Sequence, residues 1–292
     1  MFKITKVSDF GSATPAVARL GPGVHDLVKF SRLSEEDRNR VCACAWDVMQ
    51  LLVPAQRLAQ EVVAELEEVE AGLRRDGIVF QNSGRVVEVP SAMKLYKAAD
   101  FIVRSKKVLA RAMEVIEVFW GEKCTGAHYH KVLAWARTAL GPDVRLTRML
   151  DDDQKWIKHI IDLRNEEEHP KSNGPFIRNY DVNVHDNGRV ELVRPRFFDG
   201  TDVGSALTVF SEDLLTFVEE LIALGVMHTF FMPNLAIAEI PLASRDPALP
   251  IRFRVTLNDE AARRFAAAAR SNPLGDVVPE NPTPDSGDGP AN

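Results

Sequence analysis

From Val41 to Leu73 the residues Val41, Ala45, Val48, Leu52, Ala55, Ala59, Val62, Leu66, Val69 and Leu73 recur at alternating spacings of four and three without interruption. That period is the signature of an α-helix with one buried face. Just upstream, Ser34-Glu35-Glu36-Asp37 offers an N-cap hydroxyl followed by acids in the first turn, so the helix starts near residue 35. The pattern predicts about 40 residues of helix, roughly 60 Å long, with Pro54 expected to kink it or split it in two. A second run, Leu95, Ala99, Ile102, Lys106, Leu109, Met113, Ile116 and Trp120, keeps the same spacing. Between the two runs, Ile78–Phe80, the turn residues Asn82-Ser83-Gly84, and Val86, Val87 and Val89 read as a short hairpin. Two long helices joined in this way lie antiparallel at the shallow angle of bundle helices. Lys106 falls on their seam and is expected to snorkel out between them rather than sit buried against a partner.

Further helices are expected over 127–140, broken at Gly141-Pro142-Asp143, then over 143–168 until His169-Pro170, and over 211–231. A second hairpin is expected at 180–193 around Asp186-Asn187-Gly188, and a strand at 251–257 followed by a helix at 259–270. The fold class is therefore mainly α, a helical bundle on two long antiparallel helices with small β-hairpins. The organisation reads as an N-terminal extension at 1–34, the bundle at 35–231, a strand and helix appendage at 232–270, and a tail at 271–292. That tail holds five prolines and four acids with no Lys or Arg, a composition expected to be disordered.

Composition limits the function. The chain has 36 Lys and Arg against 42 Asp and Glu, a formal net charge of −6, which argues against a general duplex-DNA binder. Four of those acids lie in the tail, so the body is close to neutral. Three cysteines, including Cys42-x-Cys44, form no disulfide framework and suggest a reducing compartment. With no signal peptide and no apolar run long enough to span a bilayer, a cytoplasmic location without membrane association is expected. Glycine-rich dinucleotide fingerprints, phosphate-loop lysines and nucleophile elbows do not occur, so ATPase, dehydrogenase and serine hydrolase readings have no support and no cofactor is expected.

One segment concentrates chemistry. On a wheel with His159 at zero, Leu146, Met149, Leu150, Ile157, Ile160 and Ile161 fall between about 80° and 200°, and Arg164 projects into the middle of that face at about 140°. A guanidinium cannot give up its proton, so in such a place it must find a carboxylate, a phosphate or a wet interface. Glu168, at i+4, is the available local partner. Asn165 and His169, also four apart, share the neighbouring face just before the helix ends. A cation that holds phosphate and an imidazole that moves a proton near neutral pH are the minimal parts of metal-independent RNA cleavage, in which a 2′-hydroxyl attacks its own phosphodiester. Arg164 and His169 are about 140° apart on the wheel, so convergence needs unwinding at Pro170 or two copies across a dimer axis.

Arg164-Asn165-x3-His169, within Ile160–His169, resembles the Arg-x4–6-His signature of HEPN domains, including the polar residue that commonly follows the arginine. The resemblance implies an all-helical bundle that dimerises and places both copies of the signature in one cleft. It further implies an RNA-directed protein, in many members a metal-independent endoribonuclease of toxin–antitoxin, defence or RNA-processing systems, with an antitoxin-like protein as a further partner. Arg164 and Asn165 would hold the scissile phosphate and His169 would act as acid or base. Regulation by nucleotidylation of a tyrosine two residues after the histidine is not carried over, because that position is Lys171.

Charge cuts both ways around the signature. Residues 151–168 hold three basic and seven acidic side chains, a poor approach for a polyanion. Downstream, Lys171, Arg178, Arg189, Arg194 and Arg196 are interleaved with Phe176, Tyr180, Phe197 and Phe198. Lys171, Arg178, Tyr180, Arg194 and Arg196 are therefore candidate RNA contacts through phosphate binding and base stacking. The plainer reading is a hairpin whose aromatics pack onto the bundle. His159, Asp162, Glu166 and His169 share a helix face suited to a metal, and Cys124, His128 and His130 form a looser cluster; neither completes a ligand set, and no metal is expected. The competing function is a non-catalytic helical dimer acting as an interaction or scaffold protein, with Arg164 paired to Glu168 and His169 capping a helix end.

Overall fold

The computed structural model describes residues 10–81, 86–124, 128–171, 173–186 and 190–271. The first hairpin's turn, Arg189 and the acidic tail beyond residue 271 lie outside the described residues. The fold is mainly α. The N-terminal segment, which carries no period in the sequence, forms α1 (Pro15–Ala18), a π-turn through Pro22, and α2 (Val24–Val28). Leu20, Val24, Leu27 and Val28 are buried in the main core. Pro15 at the first helical position and Gly21-Pro22-Gly23 look like breakers in sequence, yet the first is favourable at a helix start and the second sits in the wider turn.

The long helix is α3 (Glu35–Asp76), 42 residues, with Ser34 accepting from the Asp37 N–H and Gly77 at φ 72° ending it. It passes through Pro54 without a break, because the lost hydrogen bond is outweighed by the buried stripe on both sides, Leu52, Ala55, Ala59 and Val62 among it. Strands β1 (Phe80–Gln81) and β2 (Val86–Val87) pair antiparallel, Phe80 opposite Val87. The second heptad run divides into α4 (Tyr96–Ala112) and α5 (Glu114–Trp120). At Met113 the ladder tightens to a three-residue bond from the Ile116 N–H, while Met113 and Ile116 stay buried.

The antiparallel register of α3 against α4 and α5 is written in polar pairs. Arg40 meets Glu117 at 3.5 Å, Asp47 meets Arg111 at 2.7 Å, Glu61 meets Lys97, and the Glu65 carboxylate accepts the Met93 and Lys94 N–H groups at the start of α4. Partners climb one helix as they descend the other.

There follow α6 (Tyr129–Trp135), a π-turn over Ala136–Leu140, α7 (Arg145–Glu168), β3 (Ile177–Arg178), β4 (Asp181–Val184), β5 (Val190–Val193) and β6 (Arg196–Phe197). Strands β3 and β6 pair antiparallel, as do β4 and β5. Helix α8 (Val203–His228) begins eight residues before the sequence expectation of Ser211. Asp202 is the true cap, accepting from Ser205, while the Ser211 hydroxyl bonds back to the Leu207 carbonyl. Helix α8 is apolar nearly all round and touches α2, α3, α4, α5 and α7, so it forms the centre of the core. At Gly225 in α8 the Phe119 ring of α5 stands where a Cβ would lie only 2.2 Å from its Cδ2, an approach only a bare backbone permits. The chain closes with β7 (Leu235–Glu239), antiparallel to β8 (Phe253–Leu257), and α9 (Asp259–Ser271). Among the described residues no helix is long and apolar enough to cross a membrane.

Candidate functional site

The signature sits at the C-terminal end of α7. Ile157, Ile160 and Leu163 are buried and anchor this part of the helix, with α4 and α8 among its neighbours. Beyond Leu163 the helix comes to the surface. Asn165 and His169 are exposed, and Arg164 is half-buried, its side chain 23% exposed. The Arg164 guanidinium is engaged by Glu168 and lies 3.4 Å from the Asn165 Oδ1. His169 is the C-cap, its N–H donating to the Asn165 carbonyl at 2.9 Å. All three signature residues lie at one open helix end, where the Arg164 guanidinium is held by the local carboxylate.

The acidic run 166–168 does not act as one face. Glu166 is buried and accepts the Lys171 N–H at 2.9 Å, fixing the turn that follows the helix, while Glu168 is taken by Arg164. Lys106 of α4 stands near this pair. It is half-buried, and its ammonium pKa is lowered first by burial and then by Arg164, with Glu168 opposing. Lys106 therefore neither leaves the seam for solvent nor faces a partner alone. It adds a second cation beside Arg164, which the heptad register placed on the seam but did not connect with α7.

The candidate RNA contacts separate. Lys171 is exposed beside the signature. Arg178, Tyr180, Arg194 and Arg196 gather around a cleft of about 550 Å³ between the two small strand pairs. Those pairs hang on the end of α3 and the start of α4: Asn179 accepts the Ala92 N–H at 3.0 Å, and Arg194 bridges Glu70 at 2.7 Å and Asp202 at 3.3 Å. Tyr180 corrects the sequence expectation of a stacking ring. It is buried at 5% exposure with its hydroxyl directed to the Leu66 carbonyl at 3.3 Å, and burial pushes its phenol up to about 12. Phe197 is likewise buried, and Phe176 and Phe198 pack on it or beside it. The aromatics of this segment serve the core, as the plainer reading held.

What the sequence did not show is the register of β3 against β6, which sets Arg178 directly opposite Arg196. Like charges facing each other across an antiparallel pair repel and weaken it. Both side chains are exposed, and among the described residues neither forms an ion pair. The cleft therefore presents two guanidinium groups outside any ion pair and a third, Arg194, shared between two carboxylates, with Asp181 the one acid in its lining among the described residues.

His159, the first member of the helical ligand pattern, is bonded to Asp199 at 2.7 Å and ties α7 to the loop after β6. Among the described residues, no group of three His, Cys, Asp or Glu side chains is arranged to hold a metal ion. No protein-family model, no curated protein and no solved structure matches this chain.

Proposed function

We propose that the chain is a HEPN-like, RNA-directed cytoplasmic protein that works as a homodimer, with the small-sheet cleft holding single-stranded RNA and the end of α7 acting on its backbone. The observation that carries the reading is the Arg178–Arg196 pair. Two cations set opposite each other and, among the described residues, ion-paired to no carboxylate repel until an anion bridges them, and a phosphodiester supplies that charge in the geometry a guanidinium prefers. Lys171 and Arg194 extend the basic surface. In the catalytic form of the reading, Arg164 and Asn165 hold the scissile phosphate and His169 accepts or donates the proton as the 2′-oxygen attacks phosphorus and the 5′-oxygen leaves. For this Arg164 exchanges Glu168 for phosphate, and Lys106 favours that exchange by adding positive charge beside it. A setting in toxin–antitoxin, defence or RNA-processing systems, with an antitoxin-like protein partner, belongs to the same proposal.

A second reading, a non-catalytic helical dimer that serves as an interaction or scaffold protein, is favoured by one specific contact, the Arg164–Glu168 pair within a single helix. Incubating the purified protein with a panel of single-stranded RNAs in EDTA separates the two. The nuclease reading expects cleavage that His169→Ala abolishes with an unchanged thermal midpoint. Absence of cleavage by the wild type, together with an Arg164→Ala protein that loses stability but keeps its RNA affinity, decides for the scaffold.

A further inference from the structure

A cavity of about 810 Å³ lies between α3, α8 and the terminal segments that cross them. This is within the roughly 300–1,000 Å³ common for small-molecule sites. Ala59 and Val63 of α3 and Leu207 and Leu215 of α8 form an apolar wall, and Leu242, 77% exposed, stands on the rim. Three arginines also line it: Arg19 of the π-turn, Arg245 and Arg252, with side chains only 14%, 10% and 13% exposed.

The carboxylates that balance these arginines are Glu219, Glu220 and Glu239, and none of the three lines the cavity. Glu219 is buried, and the other two line a separate cleft of about 420 Å³. The cavity's own acids, Glu67 and Glu212, form no ion pair with the three arginines among the described residues. The Arg252 Nη1 and the Glu219 oxygen face each other at 3.8 Å inside the arginine–glutamate cluster, an ion pair too long for a hydrogen bond and closed to solvent. What the cavity meets is the remaining exposed edge of the three arginine side chains.

We propose that this cavity binds a small amphipathic carboxylate, its head held by Arg19, Arg245 and Arg252 and its apolar body lying between α3 and α8. The guanidinium fork matches a carboxylate in two parallel hydrogen bonds, and the Ala, Val and Leu side chains of the wall offer an aliphatic chain apolar contact. The site is independent of the RNA reading.

Calorimetric titration of the full-length protein with dodecanoate, below its micelle concentration, tests it. Dodecanol and dodecyltrimethylammonium serve as controls that share the chain and change the head. One dodecanoate per protein is expected, bound about tenfold or more tightly than either control, since a hydrogen-bonded charge pair contributes on that scale. Ala64→Trp places an indole in the cavity from an exposed helix position and leaves the arginines intact; Arg245→Ala removes one donor. Each weakens binding by about tenfold or more. Arg245 also holds Glu239 and the Ile240 carbonyl, so its variant is interpreted beside Ala64→Trp, whose fold is checked by circular dichroism. No binding, equal binding of all three amphiphiles, or binding undiminished in folded Ala64→Trp overturns the proposal.

Discussion

Two sets of three arginines line clefts in this molecule, and they differ in what balances them. Arg19, Arg245 and Arg252 are nearly sealed and face Glu219, Glu220 and Glu239 from the same chain. Arg178, Arg194 and Arg196 are exposed, and among the described residues only Arg194 is ion-paired to internal carboxylates. In the first set a guanidinium is part of the architecture, because removing it strands a buried acid. In the second, Arg178 and Arg196 give the folded chain nothing to lose, and their charge is free for something outside it. Identical residue types thus cost the fold much when removed in one place and little in the other, and burial decides which.

The comparison is sharpest at Arg252. Arg252→Ala leaves buried Glu219 with Arg19 alone, Glu239 with Arg245 alone and Glu220 without its partner, so a loss of about 3 kcal/mol is expected in chemical denaturation. A loss comparable to that of Arg178→Ala would break the contrast.

A smaller effect is expected through pH. Burial pushes the Glu219 carboxyl from 4.5 up to about 7, against the pull of Arg19 and Arg252, with Arg245 helping and Glu220 opposing. The native state then holds this proton more tightly than the unfolded chain. The stability it contributes is full below about pH 4.5 and is lost as pH rises to about 7, a change on the order of 3 kcal/mol. Asp153, raised to about 6 by burial, works in the same direction. Glu219→Gln should therefore flatten, without abolishing, the fall in thermal midpoint between about pH 5 and pH 7; an unchanged slope means that Glu219 is ionised throughout.

The smallest change in stability belongs to the exposed set. Arg178→Ala and Arg196→Ala should each leave stability within about 0.5 kcal/mol. In fluorescence anisotropy against a single-stranded oligouridylate, each should weaken binding and reduce the dependence on log salt by about one. Unchanged affinity in both would leave the cleft without its proposed ligand.

Periodic burial made the helical frame legible. A stripe of ten positions in α3 outweighs one proline, and the acids after Ser34 leave little doubt where that helix begins. Ser211-Glu212-Asp213 imitates a cap that Asp202 provides, so the sequence alone sets the start of α8 eight residues late. The β7–β8 pair has little local signature, since Ala236 and Ala238 are weak strand formers and the partner lies across a separate turn. For the site, residue types were readable but their surroundings were not. The sequence places Tyr180 among basic residues and says nothing of the Leu66 carbonyl that receives its hydroxyl. Nor does it contain the register that sets Arg178 against Arg196, a property of two strands closed by seventeen intervening residues. Lys106 and Arg164 each lie on a visible stripe, and only packing reveals that the stripes meet.

Gly225 and Phe119 constrain each other. A side chain of any kind at 225 would wedge the central helix away from α5, so the pair acts as lock and key for how the two helices are turned toward each other. With the ring at 119 only glycine fits at 225, and a Cβ there asks for a smaller residue at 119. Those two positions set how α8 is turned on α5 independently of the residues at the end of α7.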